Sequence, residues 1–107
     1  MSELSEIDPR ELKARLERGD HPLILDVREG WEIATASIAG TLNIPMGDIP
    51  SRVAELDPER ETIVMCHHGV RSAQVAMYLA RNGFARVLNL TGGIDAWSDI
   101  DPAVPRY

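Results

Sequence analysis

Cysteine is nearly missing from this chain: of 107 residues, only Cys66 carries a thiol. One cysteine excludes an internal disulfide and a multi-cysteine zinc site. Positive charge is scarce as well. Eleven Lys and Arg stand against seventeen Asp and Glu, for a formal net charge of -6. So acidic a chain repels a phosphate backbone, which argues against nucleic acid as a partner. Long apolar runs are absent. The longest stretch without a charged residue, Ile33 to Gly47, is fifteen residues, and Gly40, Asn43 and Pro45 interrupt it. It is too short to cross a bilayer as a helix, so no membrane partner is expected. The start, Met1 to Glu6, has no apolar core of a secretory signal. With the lone free thiol, this makes a reducing, cytoplasmic setting the expectation. No repeat, low-complexity tract or linker divides the chain.

What is present is an ordinary globular composition, 44% apolar and 26% charged. The length suits a single domain over residues 1–107, which buries roughly 65% of its unfolded surface. Glycine and proline punctuate the chain into short alternating elements. Asp8-Pro9 opens a first helix with Leu12 and Leu16 on one face, and Gly19 ends it. Leu23 to Val27 is a nearly continuous apolar run, read as a strand buried on both faces. Glu29 to Ala36 is a short helical pattern with Trp31 and Ile33 as core candidates. Thr41 to Ile44 is a short strand. Gly47 to Leu56 is a helix with Asp48 as N-cap. Thr62 to Cys66 is a second buried strand. Arg71 to Asn82 is the clearest helix, with Ala76, Leu79 and Ala80 sharing a face. Arg86 to Leu90 is a third buried strand. Gly92-Gly93 leads a last helix bearing Ile94 and Trp97, and the tail from Asp101 to Tyr107 is extended. Strands alternating with helices predict an α/β fold, a parallel sheet covered on both faces. Such sheets carry their sites at the strands' carboxyl ends.

Cys66 lies at such an end, and His67-His68-Gly69-Val70-Arg71-Ser72 leads from it into the clearest helix. Free N–H groups of the loop and first helical turn point toward that position. They favour a thiolate and lower its pKa from ~8.5, toward the ~3.5–7.5 range. Gly69 lets the loop curl so that successive N–H groups converge. Arg71 adds a positive charge. A thiolate, an amide cradle and a guanidinium suit a nucleophile attacking an anionic substrate. A cysteine after an apolar strand is otherwise most often a small buried hydrophobe. An inert core cysteine, however, has no use for a tight His-His-Gly turn followed by arginine.

Cys66 to Ser72 resembles the active-site loop of the rhodanese-like sulfurtransferases. Asp26-Val27-Arg28-Glu29 with Trp31-Glu32, Ile38 to Pro45, and Gly92-Gly93-Ile94-Asp95-Ala96-Trp97 resemble that family's other blocks, in the family's order. The resemblance covers nearly the whole chain and implies a central parallel five-stranded sheet flanked by helices. It also implies that Cys66 carries sulfur as a persulfide and that His67 to Ser72 form the cradle. The substrates implied are a small anionic donor such as thiosulfate and a cyanide, thiol or protein acceptor, with no cofactor. Two positions depart from the pattern. Ser37 stands where His is usual, and Ala39 where Pro is common. Neither is the nucleophile, so packing or partner-surface changes are expected there.

Loop length separates this family from phosphatases and arsenate reductases of similar architecture. Four residues, His67 to Val70, lie between Cys66 and Arg71, one fewer than in those enzymes. The smaller ring of N–H groups suits one sulfur atom better than a tetrahedral oxyanion. A phosphatase also needs a general acid for an alkoxide leaving group, whereas sulfite leaves unprotonated. A second alternative is a persulfide carrier or partner-binding module with little thiosulfate turnover.

His67 and His68 either help bind the donor and tune the thiolate, or present only their N–H groups while their rings face solvent. Cys66, His67 and His68 are not expected to form a metal site, because adjacent residues converge poorly on one ion. Asp26 and Arg28 end a strand on the sheet edge shared with Cys66 and are expected to brace the site, Asp26 lying opposite Arg71. Gly92-Gly93 reads as a tight turn, and Trp31 and Trp97 as core or rim packing rather than ligand platforms.

Overall fold

The computed structural model describes residues 4–107, so the first part of the presumed signal-free start lies outside the described residues. Asp8 caps the first helix as its spacing predicts: its carboxylate accepts the Glu11 N–H at 2.8 Å, and Pro9 occupies the first turn. That helix, α1 (Pro9–Glu17), follows a two-residue strand, β1 (Glu6–Ile7). Further along come β2 (Leu23–Asp26), α2 (Gly30–Thr35), β3 (Leu42–Asn43), α3 (Ile49–Arg52), β4 (Thr62–Met65), α4 (Val70–Arg81), β5 (Val87–Leu90) and α5 (Gly93–Ser98). The helix expected over Gly47 to Leu56 is broken up. Single 3-10 turns, Met46–Asp48 and Val53–Glu55, flank α3, and the Asp48 side chain does not cap it.

All five strands are parallel, in the order β1-β5-β4-β2-β3. β4 is central and buried at all four positions, which explains its unbroken β-branched and apolar run. Successive side chains alternate between two cores. Leu25 and Val64 face α3 and α4, where Ile49, Val75, Ala76 and Leu79 pack. Ile24, Ile63 and Met65 face α1 and α5, where Leu12, Ile94 and Trp97 pack. This is the expected parallel sheet with helices on both faces. In α4 the buried partner beside Ala76 and Leu79 is Val75, while Ala80 is exposed.

Trp31 is not a core residue: it is 66% exposed, and its neighbour Glu32 is the buried residue of α2. The reason is the short helix itself. Its inward face meets the carboxyl end of the sheet, where charged groups wait for a partner. Ser37 and Ala39, the two departures from the family pattern, are both exposed.

Candidate functional site

Cys66 is the first residue beyond β4 and is only 1% exposed. By strand alternation its side chain turns to the α3/α4 side of the sheet. The chain then makes a tight loop into α4, and Gly69 caps that helix at φ 103°, a left-handed conformation open to glycine at little cost. A Cβ on Gly69 would also press to 3.3 Å from the Gly92 nitrogen. Around Sγ the loop places the Gly69 N–H at 3.1 Å, the Ser72 N–H at 3.4 Å and the Ser72 hydroxyl at 3.4 Å.

The loop is held from behind. α5 donates its Ile94 N–H to the Cys66 carbonyl at 2.9 Å and its Asp95 N–H to the His67 carbonyl at 3.0 Å. Turning these two carbonyls toward α5 leaves the loop's following N–H groups free to face the sulfur. The contact requires glycine at 93. A Cβ there would sit 2.3 Å from the Cys66 oxygen and 2.5 Å from the His67 oxygen, at a backbone φ of 59°. Gly92-Gly93 is thus a tight turn, as read from the sequence, and also the seat of the cysteine loop.

Burial pushes the Cys66 thiol up, but hydrogen bonds from the Ser72 hydroxyl and amide and from the Gly69 and His68 amides outweigh it. The net effect is a pKa below the ordinary thiol value.

Arg71, at the far end of this loop, has a carboxylate partner. Its guanidinium makes two bonds to the Glu32 carboxylate, at 2.7 and 2.9 Å. The pairing lowers the Glu32 pKa to about 2, mainly through the Arg71 bonds, and raises that of Arg71. The expectation that Asp26 faces Arg71 is therefore corrected. Asp26 is in register with Met65, on the opposite side of the sheet from Cys66. It meets the fully buried Arg28 instead, at 2.7 Å. Arg28 also donates to the Glu32 carbonyl at 3.3 Å and the Ala36 carbonyl at 2.9 Å, tying the end of β2 to α2. Asp26 and Arg28 thus fix the helix that offers Glu32 to Arg71.

Tyr107, which sequence reasoning left in an extended tail, closes this network. Its hydroxyl accepts from Arg28 at 2.8 Å and donates to Glu32 at 2.7 Å. Its ring stacks on His67 at 4.1 Å, and His67 in turn stacks on His68 at 4.0 Å. The His68 side chain is 64% exposed, which matches the solvent-facing alternative. The His67 ring is sandwiched, with its Nε2 buried and without a hydrogen-bond partner. His67, His68 and Asp95 bring ligand atoms within 4.8 Å of one another. They suit a metal poorly, because lone pairs of stacked rings run nearly parallel and Asp95 already pairs with Arg106 at 2.8 Å.

Asn89 on β5 was also missed. It is buried and sits between the Gly69 carbonyl and the Ser72 hydroxyl. A polar residue inside an otherwise apolar strand was the available signal.

A parallel sheet with a cysteine at its central strand's end, cradled by amides before a helix, defines an α/β protein with a candidate thiolate site. The comparisons with known proteins narrow this. Residues 8–100 match the family model of the Rhodanese-like domain. A sulfurtransferase of Allochromatium vinosum is 41% identical over 95 residues, 89% of each chain. A thiosulfate sulfurtransferase of Stutzerimonas stutzeri is 30% identical over 103 residues, 96% of this chain and 93% of that protein. Among solved structures, a rhodanese-like domain protein of Staphylococcus aureus superposes with a TM-score of 0.86 at 33% identity, over 97% of this chain and 99% of that one. The chain belongs to the rhodanese-like sulfurtransferase family.

Proposed function

We propose that this protein is a thiosulfate sulfurtransferase that carries sulfur on Cys66, with His67, His68, Gly69, Val70, Arg71 and Ser72 forming the donor-binding cradle and Asp26 and Arg28 supporting it. The observation that carries this reading is the amide ring closed on Sγ by a loop of only four residues between Cys66 and Arg71. The Cys66 thiolate attacks the outer sulfur of thiosulfate. The new S–S bond forms as the donor's S–S bond breaks, and its electron pair leaves with sulfite. Cys66 then holds a persulfide whose negative outer sulfur is stabilised by N–H groups and the start of α4. Cyanide takes that sulfur to give thiocyanate, or a thiol takes it to give a new persulfide, and the Cys66 thiolate returns. Two half-reactions sharing one intermediate give ping-pong kinetics. No second cysteine exists to resolve the persulfide, so the acceptor comes from outside. The setting proposed is cytoplasmic; among the described residues, no helix is long and apolar enough to cross a membrane.

One observation favours a second reading, a persulfide carrier served by protein donors. Glu32 neutralises Arg71, so the cradle offers a dianion less positive charge than the loop sequence promises. Weighing the intact protein after incubation with thiosulfate tests the first reading: one added sulfur atom on wild type and none on Cys66→Ser is expected. No added sulfur on wild type overturns it. Loading from a persulfidated protein but not from thiosulfate selects the carrier.

A further inference from the structure

Ser72 and Asn89 form a buried pair with an unusual shortage of protons. Ser72 is 0% exposed and Asn89 4%. The Asn89 amide is oriented by its own bond: Nδ2 donates to the Gly69 carbonyl at 3.2 Å, so Oδ1 faces the Ser72 oxygen at 2.5 Å. A carbonyl oxygen only accepts, so that contact needs the hydroxyl proton of Ser72. The same hydroxyl lies 3.4 Å from Cys66 Sγ. A serine hydroxyl has one proton, and two buried acceptors compete for it.

The competition depends on what Cys66 is. As a thiol, Cys66 donates S–H toward Ser72, and Ser72 donates to Asn89, so every group is satisfied. As a thiolate, Sγ calls for the proton that Asn89 holds. If the hydroxyl stays on Asn89, an oxygen lone pair faces the anion. If it rotates to sulfur, Oδ1 is left buried without a donor, which is costly. Once an outer sulfur is attached, Sγ is a neutral divalent atom, and the proton returns to Asn89 without conflict.

We propose that Asn89 is a positioning residue for sulfur transfer, competing with Cys66 for the single Ser72 proton and so disfavouring the empty thiolate relative to the sulfur-loaded site. The proposal rests on the reading of Cys66 as the sulfur-carrying nucleophile. It adds no reactant: loading exchanges one S–S bond for another, sulfite takes the leaving electron pair, and the Ser72 proton only changes its acceptor.

Alkylation of Cys66 by iodoacetamide as a function of pH tests it, since this reads the thiolate without any sulfur transfer. Wild type, Ser72→Ala, Asn89→Leu and the double variant are compared. Removing the hydroxyl is expected to raise the alkylation midpoint about 0.5–1 pH unit more in the Asn89→Leu background than in wild type, because in wild type Asn89 competes for the proton that there goes wholly to sulfur. Loosening of the loop by loss of the Gly69 bond affects both members of that background and cancels. Where Asn89→Leu does not fold, Asn89→Ala takes its place. Equal shifts in the two backgrounds, or a larger one in wild type, overturn the proposal. The ratio of sulfur-loaded to empty protein at a fixed ratio of thiosulfate to sulfite is also expected to fall about three- to tenfold in Asn89→Leu. Wild type that alkylates normally yet takes up no sulfur defeats the transferase reading instead, and leaves the Ser72–Asn89 coupling measurable.

Discussion

Gly93 bears more of the site than its position outside the cysteine loop suggests. It lets α5 approach until two of that helix's N–H groups reach the Cys66 and His67 carbonyls. Gly93→Ala is therefore expected to cost at least about 3 kcal/mol by urea denaturation and to abolish sulfur loading, since strain and collision with backbone oxygen add. Gly83 provides the comparison. Its φ is 89° but a Cβ there meets nothing within 4 Å, so Gly83→Ala should cost only about 1–2 kcal/mol and leave loading intact. Equal effects of the two substitutions would show that α5 does not seat the loop. Residues also differ in how readable they were. Cys66, Gly69 and Ser72 act through atoms a few positions apart, so their role follows from local order along the chain. Glu32 and Asn89 act on partners that only the sheet brings near, and nothing in their own neighbourhoods names Arg71 or Ser72.

At the level of elements, α2 and the cysteine loop are joined through Glu32 and Arg71. Glu32 has its pKa lowered from 4.5 to about 2. A depressed carboxyl pKa adds stability that is fully present above the unfolded value and is lost as pH falls through the folded one. Glu32→Gln should thus be less stable than wild type at neutral pH, with the gap narrowing between pH 4.5 and about 2, measured as urea midpoints across that range. A gap independent of pH would show that the ion pair does not hold the elements together. The strand–helix alternation that places these parts was readable because β2, β4 and β5 are largely apolar runs and α4 has a clear periodic face. β1 was not, since two residues, one of them Glu6, hold no period. Trp31 was misplaced for a related reason. A six-residue helix shows under two turns of pattern, and polar pairing at the sheet end overrode hydrophobicity.

Over the whole molecule, the net charge of -6 opposes an incoming dianion, and Arg71, paired with Glu32, offsets little of that repulsion. Raising ionic strength from about 10 mM to about 150 mM shortens the screening length from ~30 to ~8 Å. The second-order rate constant for loading from thiosulfate is therefore expected to rise over that range. A fall would mean that local dipoles dominate the approach of the donor. The tail contributes at the same scale. Tyr107 reaches Arg28 and Glu32, 79 and 75 positions away, and no pattern within seven tail residues announces such a return.

The near-complete burial of Cys66 has a last consequence, for the regiochemistry of the proposed sulfur transfer. A persulfide presents two electrophilic sulfurs. Attack on the inner one releases hydrosulfide and joins acceptor to protein as a mixed disulfide; attack on the outer one delivers the sulfur. Cys66 is only 1% exposed as a residue, and an added sulfur would extend about 2 Å beyond Sγ, so in the proposed persulfide a bulky thiol is expected to meet the outer sulfur first. The same burial is expected to oppose joining of two copies of the chain through Cys66, which would leave the proposed nucleophile free.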